Sequence, residues 1–357
     1  MKIVDIKIEK IRIHLKKPFK IAFAVQDYAD NVIIKVITDE GIYGLGEAAP
    51  FSPVTGETVD SVISTLNMFK EGLIGMDPLE IEKIHILMDR LITGNSSAKA
   101  AIDIALFDIK GKVMGQPLYK ILGGYDNKIQ TDMTIGIDTP ENMAKEAKER
   151  VENDGFRILK IKAGINPDED IKALQLIREA VGNDIRLRVD ANQGYCVNDA
   201  VRVLKEFEKV GVEAVEQCLP HWNMNDARLI REKVGLKVML DESIHSPMDA
   251  AKACKIDAAD ILNIKLMKCG GLYNALKINA IAEANDVRCM VGCMLETKIA
   301  IAAGASLVAA KKNITEADCD SFMYCVDPDN GMEGGFEING DTFVLSDKPG
   351  LGIDFDF

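Results

Sequence analysis

No apolar run in these 357 residues approaches the ~18 needed to cross a bilayer, so a membrane-spanning protein is not expected. The opening stretch, MKIVDIKIEKIRIHL, lacks the apolar centre and small-residue cleavage site of a secretory signal; it alternates like a strand, which points to the cytoplasm. Cysteine is missing from the first half. The eight in the second half, Cys196, Cys218, Cys254, Cys269, Cys289, Cys293, Cys319 and Cys325, include no C-x-x-C pair. A disulfide framework or zinc site needs tighter, patterned spacing, so reduced core thiols are expected. Basic excess is lacking as well: a net charge of −13 argues against gripping a nucleic-acid backbone. Nor is there a low-complexity segment or disordered linker.

What is present is the composition of a soluble globular protein, 47% hydrophobic and 28% charged. The length suits a barrel of roughly 200 to 250 residues plus a modest second domain. Residues 1–125 open with an antiparallel meander: residues 3–15, NVIIKVITD from Asn31 and IYGLGEA from Ile42. Helices follow, one with Val59, Val62, Ile63, Leu66 and Phe69 at helical spacing, another running from Ser96 to a stop at Gly115. From about residue 129 short apolar strands alternate with amphipathic helices, the pattern of right-handed parallel crossovers. The strands read TDMTIGI, RILKIK, IRLRVD, EAVEQ, KVMLDE, ADILNIK, RCMVG and ITEAD. Eight favours a closed barrel over an open sheet, and no G-x-G-x-x-G follows the first. The barrel occupies 126–322. In the tail, 323–357, Asn339-Gly340 marks a hairpin, and the tail is expected to return to the amino-terminal domain.

Strands 3, 4 and 5 end in Asp190, Glu216 and Asp241. In a parallel barrel those ends converge at one mouth, where three anions repel unless a hard divalent cation joins them; oxygen ligands favour magnesium or manganese. Glu242 is the alternative ligand, though alternation turns it to the other side of the strand. Asn192 and Gln193 are placed to support the ligands. On strand 2, Lys160 and Lys162 share a face, and a neighbouring cation should lower the Lys162 pKa toward that of a general base. Lys268 follows strand 6, diametrically opposite; Lys265, inside the strand, is the alternative and is expected to support the core. Asp318 and Asp320 share a face of strand 8, across from the cation, and two carboxylates without a metal suit a substrate ammonium. A base on either side of a carbon next to a metal-held carboxylate would remove a proton from one face and return it to the other.

The run KPFK from Lys17, TGNSSAKAAIDIALFD from Thr93, then KIKAG, RVDANQG, VEQ, LDES and NIKLMKCGG resembles the muconate lactonizing subgroup of the enolase superfamily across nearly the whole chain. The resemblance implies an α+β cap, built from the amino-terminal segment and carboxy-terminal tail, on a modified (β/α)7β barrel. It implies one Mg2+ per subunit on Asp190, Glu216 and Asp241, with Lys162 and Lys268 as acid and base, since lysine or histidine bases with magnesium are known for the superfamily. Asp318-x-Asp320 is similar to the D-x-D by which dipeptide epimerases hold the substrate ammonium, and Thr134 on the first barrel strand and Glu296 in the similar ETK run become further substrate-facing candidates. Epimerases acting on alanyl-glutamate follow KPFK with an arginine; Ala24 matches that position here. With Phe19, Ile21, Phe23, Phe51 and Val54 nearby, the expected substrate is an L,L-dipeptide whose second side chain is apolar or aromatic. The competing readings are an alanyl-glutamate epimerase, a cycloisomerase, an N-acylamino acid racemase, an o-succinylbenzoate synthase and a barrel that only binds peptides. Lys298, after strand 7, would complicate charge preference. The expected assembly is a homo-oligomer.

Overall fold

The computed structural model describes residues 1–356. Strands β1 (Ile3–Ile21), β2 (Ala24–Thr38) and β3 (Tyr43–Ala48) form an antiparallel sheet in that order. The first two are longer than their apolar alternation indicates. Beyond His14 the register is irregular and then resumes with Phe19 opposite Gln26 and Ile21 opposite Ala24, so residues 16–30 form an extended hairpin arm. Helices α1 (Ser52–Thr55), α2 (Val59–Leu73), α3 (Ile81–Leu91), α4 (Ser96–Met114) and α5 (Leu118–Leu122) complete the cap. Helix α4 is apolar nearly all round and accordingly buried nearly all round, ending where Gly115 takes a left-handed φ of 62°. Gly44 and Gly46 let β3 lie directly on it: a Cβ at either would meet the Ala105 or Ala101 carbonyl oxygen at about 2.0 or 1.9 Å.

After β4 (Lys128–Gln130), eight parallel strands follow: β5 (Met133–Ile135), β6 (Ile158–Lys162), β7 (Arg186–Asp190), β8 (Val212–Glu216), β9 (Lys237–Leu240), β10 (Ile261–Lys265), β11 (Arg288–Gly292) and β12 (Ile314–Ala317). They lie in sequence order in one sheet. Between them run α6 (Pro140–Glu152), α7 (Pro167–Val181), α8 (Val197–Lys209), α9 (Met224–Lys233), α10 (Pro247–Lys255), α11 (Leu266–Cys269), α12 (Leu272–Ala284) and α13 (Lys298–Ala310). Proline at the first helical position, behind a capping Thr139, Asn166 or Ser246, starts α6, α7 and α10.

The seam between the first and last barrel strands is closed largely by side chains. Asp132 N–H donates to the Ala317 carbonyl at 3.1 Å, Cys319 N–H to Thr131 Oγ1 at 2.8 Å and Thr134 N–H to Asp320 Oδ2 at 2.7 Å.

In the tail, β13 (Glu333–Gly334) pairs with β16 (Ile353–Asp354), and β14 (Phe336–Asn339) and β15 (Thr342–Leu345) extend β4. The hairpin turn centres on Gly340-Asp341, one residue beyond the sequence reading, because Asn339 pairs with Thr342. The tail then reaches the cap, where Leu118 N–H donates to Gly350 O and Leu351 N–H to the Asp108 carboxylate. All eight cysteines are free thiols, and among the described residues no helix is long and apolar enough to cross a membrane.

Candidate active site

Alternation along each barrel strand sends every second side chain inward. An apolar plug of Met239, Ile261 and Met290 fills part of the interior. Arg188 reaches Asp132 at 3.0 Å and also pairs with Glu316. Nearer the mouth, Lys160 Nζ lies 2.5 Å from Asp318, 3.3 Å from Glu216 and 3.5 Å from Asp190. Burial opposes its charge, yet Asp318, Glu216 and Asp190 together hold its pKa well above the ordinary lysine value. Lys162 Nζ is 2.6 Å from Asp190 and donates to Asn192 Oδ1 at 3.0 Å.

Across the barrel the structure places Lys268 away from the cavity into which it was expected to reach. Lys268 lies on α11, its side chain is 0% exposed, and it does not line the cavity. Its ammonium grips the Asp241 carboxylate and backbone carbonyl and donates to Asn263 O. Lys265 lines the cavity instead, 2.7 Å from Asp241 Oδ2. The reason is the period of two: Leu262 and Ile264 join the outer core, so Asn263 and Lys265 turn inward. Gly292 on the adjacent strand makes room, since a Cβ there would meet Lys265 Cε at 3.0 Å and Asn263 Nδ2 at 2.9 Å. Strands β6 and β10 stand four apart in a ring of eight, so Lys162 and Lys265 face each other.

Asp190, Glu216 and Asp241 are all buried at adjacent strand ends, Asp241 just past the end of β9. Burial and the Asp190 charge push Glu216 up to about 8. Against burial, Lys162 and Lys160 hold Asp190 below the usual carboxylate range, and Lys265 and Lys268 do the same for Asp241. Three oxygen-only donors, one driven toward protonation by the other two, fit a hard divalent cation that would relieve the crowding.

Glu242 also departs from expectation. The strand stops at Leu240, and Gln217 Oε1 accepts from Asp241 N–H and Ser243 N–H, bending the chain so that Glu242 faces the cavity. Its Oε1 accepts from Asn192, its Oε2 is buried without a partner, and burial and Asp241 push its pKa to about 7.

On the far wall, Asp318 and Asp320 line the cavity beside Cys293, with ligand atoms of all three within 4.8 Å of one another. Burial and the two acids hold the Cys293 thiol protonated, so this wall presents carboxylates rather than a thiolate. Asp320 accepts from Thr134 N–H and, at 2.9 Å, from Tyr324 O–H. Burial and the Asp318 charge raise it to about 6.

The cavity, about 580 Å³, runs from these groups up to the cap, where Phe19, Ile21, Phe23, Phe51 and Val54 line it; the Phe23 and Phe51 rings stack 6.1 Å apart. Thr134 also lines it. Three expected residues do not. Ala24 pairs with Ile21 in the hairpin, and Phe23 and Val25 take the lining positions. Glu296 is buried behind the wall, accepting Met294 N–H, and leaves Met294 and Leu295 facing inward. Lys298 turns away to Asp329 at 2.6 Å. Sequence reasoning missed Tyr324, which lies beyond the last strand where no periodicity marks it, and Asn263, which the same alternation as Lys265 would have found.

Residues 3–123 match the amino-terminal domain model of the mandelate racemase and muconate lactonizing enzymes, and residues 142–357 match the enolase carboxy-terminal domain-like model. The chain belongs to the mandelate racemase and muconate lactonizing enzyme family. Within it, an L-Ala-D/L-Glu epimerase of Clostridium acetobutylicum is 44% identical over 357 residues, covering 99% of both chains. A hydrophobic dipeptide epimerase of Enterococcus faecalis is 42% identical, again over 99% of both. The crystal structure of a dipeptide epimerase from Enterococcus faecalis, complexed with Mg and L-Leu-L-Tyr, superposes with a TM-score of 0.96 at 42% identity, covering 99% of this chain and 100% of that one.

Proposed function

We propose that this enzyme is a Mg2+-dependent isomerase that inverts the α-carbon of the second residue of L,L-dipeptides, with a preference for apolar or aromatic second side chains. The observation that carries the reading is the facing pair Lys162 and Lys265, flanked by three buried acids and standing opposite Asp318 and Asp320. Asp190, Glu216 and Asp241 would hold the cation, which when bound supplies positive charge to the substrate carboxylate as the α-proton leaves. Asp318 and Asp320 receive the substrate ammonium, fixing a dipeptide across the mouth. Lys162 or Lys265, in its neutral form, takes the α-proton, and the opposite ammonium returns one to the other face, so configuration inverts. Lys160 keeps its charge among Asp318, Glu216 and Asp190 and adds to the field that stabilises the developing carbanion. A cycloisomerase or N-acylamino acid racemase would have no cation to set against the paired aspartates.

The eight free thiols support a reducing, cytoplasmic setting. The test is incubation with a dipeptide panel in heavy water, read by mass spectrometry and chiral chromatography. Deuterium at the second α-carbon with appearance of the L,D isomer is expected; a panel of L,L-dipeptides returned unlabelled and uninverted would overturn the reading.

A further inference from the structure

The cap carries a buried aspartate that the chemistry above leaves unused. Asp103, in the middle of α4, is 0% exposed, and its carboxylate accepts from the backbone N–H groups of Leu272 and Tyr273 at the start of α12. That helix begins at Gly271, which has no side chain to cap it, so the cap domain supplies the acceptor that the barrel helix lacks. His85 Nε2 lies 2.7 Å from Asp103 Oδ2 and its ring stacks on Tyr273, holding the carboxylate from the other side.

The two glycines between Lys268 and α12 fit this contact. A Cβ on Gly270 would lie 3.6 Å from Lys99 Cβ, one helical turn before Asp103 on the same face of α4, and a Cβ on Gly271 would meet the Asp103 side chain far inside contact distance. Gly271 also has φ 105°, a conformation that side chains rarely adopt. Between β10, which ends in Lys265, and this anchor lie only the four residues of α11 and the glycine pair. The turn is drawn tight, Gly270 and Gly271 N–H both donating to Leu266 O at 2.9 Å.

We propose that Asp103 is a positioning residue for Lys265: by capping α12 from the other domain it fixes the height and direction of the strand end that presents the base. The proposal rests on the assignment of Lys265 as one of the two bases. It accounts for the first D of AIDIALFD, Asp103, and the G-G of KLMKCGG as one device.

A merely structural contact would slow α-proton exchange of both isomers alike, whereas a device acting through Lys265 slows exchange of one. The experiment measures α-proton exchange in heavy water for the L,L and L,D isomers of one apolar dipeptide separately, on the full-length Mg2+-loaded enzyme. Lys162→Ala and Lys265→Ala identify which isomer each lysine serves. Asp103→Asn keeps one acceptor and turns an amide donor toward a second N–H. It is expected to slow exchange of the Lys265-served isomer roughly 10- to 100-fold and leave the other within about threefold. Gly271→Ala, which displaces the same carboxylate, should give the same asymmetry; His85→Gln, which retains a donor toward Asp103, should restore near-parent values. Equal loss for both isomers, or loss for neither, overturns the proposal. If Lys265→Ala itself still exchanges both isomers, the base assignment fails and this inference falls with it; a Lys265→Ala asymmetry that Asp103→Asn does not share overturns this inference alone.

Discussion

L-Ala-L-Glu offers the sharpest challenge to the specificity reading, because a 44% identical relative is an L-Ala-D/L-Glu epimerase. A dipeptide held by the cation at its carboxylate and by Asp318 and Asp320 at its ammonium lies with its second side chain toward the wall of Phe19, Ile21, Phe23, Phe51 and Val54. Among the described residues the cap contributes one cation to that lining, Lys10, and it is committed to Asp30 at 3.0 Å. Asp30 is held at about 2 by Arg12 and Lys10, so a glutamate must compete with a strong incumbent or enter neutral. Taking up a proton at pH 7 with an ordinary pKa of about 4.3 costs about 3.7 kcal/mol, or roughly 500-fold. A phenylalanine buried in the same place gains about 1.5 to 3 kcal/mol. The mouth is open to solvent and residual hydration relieves part of the penalty, so the expected gap is at least ~100-fold in kcat/KM for L-Ala-L-Phe over L-Ala-L-Glu. Polarimetry or chiral chromatography over a panel at fixed Mg2+ measures it. Equal or better turnover of L-Ala-L-Glu would refute the reasoning, and its loss in Lys10→Ala would then name Lys10 as the neglected partner.

Lys162→Ala and Lys265→Ala should each lower epimerisation by ~10²-fold or more while leaving exchange at one face. Lys268→Met should instead weaken Mg2+ binding, measured by calorimetry, by releasing Asp241; one-sided exchange in that variant would return the base to Lys268. Chelation should abolish activity and Mg2+ restore it, with Asp190→Asn, Glu216→Gln and Asp241→Asn each raising the Mg2+ concentration required; full activity in excess chelator would contradict the donor set. Asp318→Asn should raise KM for a free dipeptide by about 10- to 100-fold and change that for its N-acetyl derivative far less, and equal effects would remove the ammonium assignment. Burial, then the Lys268 charge, depress His245 to about 4 from 6.5, so its contribution to stability is intact above pH 6.5 and is lost as pH falls toward 4. Urea midpoints should fall across that window and fall less in His245→Gln; parallel curves would mean that His245 does not drive the loss.

Much of this architecture is legible in the chain because parallel strands announce themselves: short apolar runs at regular spacing, each ending in a residue that apolar packing cannot explain. That is how Asp190, Glu216, Asp241 and Lys162 stand out. Lys265 is masked by the assumption that a lysine within a strand lies against the outer core, whereas strict alternation from Leu262 and Ile264 sends it inward. Glu242 fails for the converse reason, since alternation ceases to apply once Gln217 bends the chain after Leu240. Ala24 and Glu296 rest on motif position, and neither a hairpin's turn nor a loop folded back on its own amides can be located from motif position alone.

The side-chain seam of the barrel bears on how such an enzyme diversifies. Asp320 is both a rung joining the first and last strands and a wall of the pocket, so a change there puts the closure of the barrel at risk along with the proposed ammonium site. The hairpin arm and the loop bearing Phe51 and Val54 carry no comparable double duty. A change in the second side chain accepted can therefore come through the arm without disturbing the closure of the barrel.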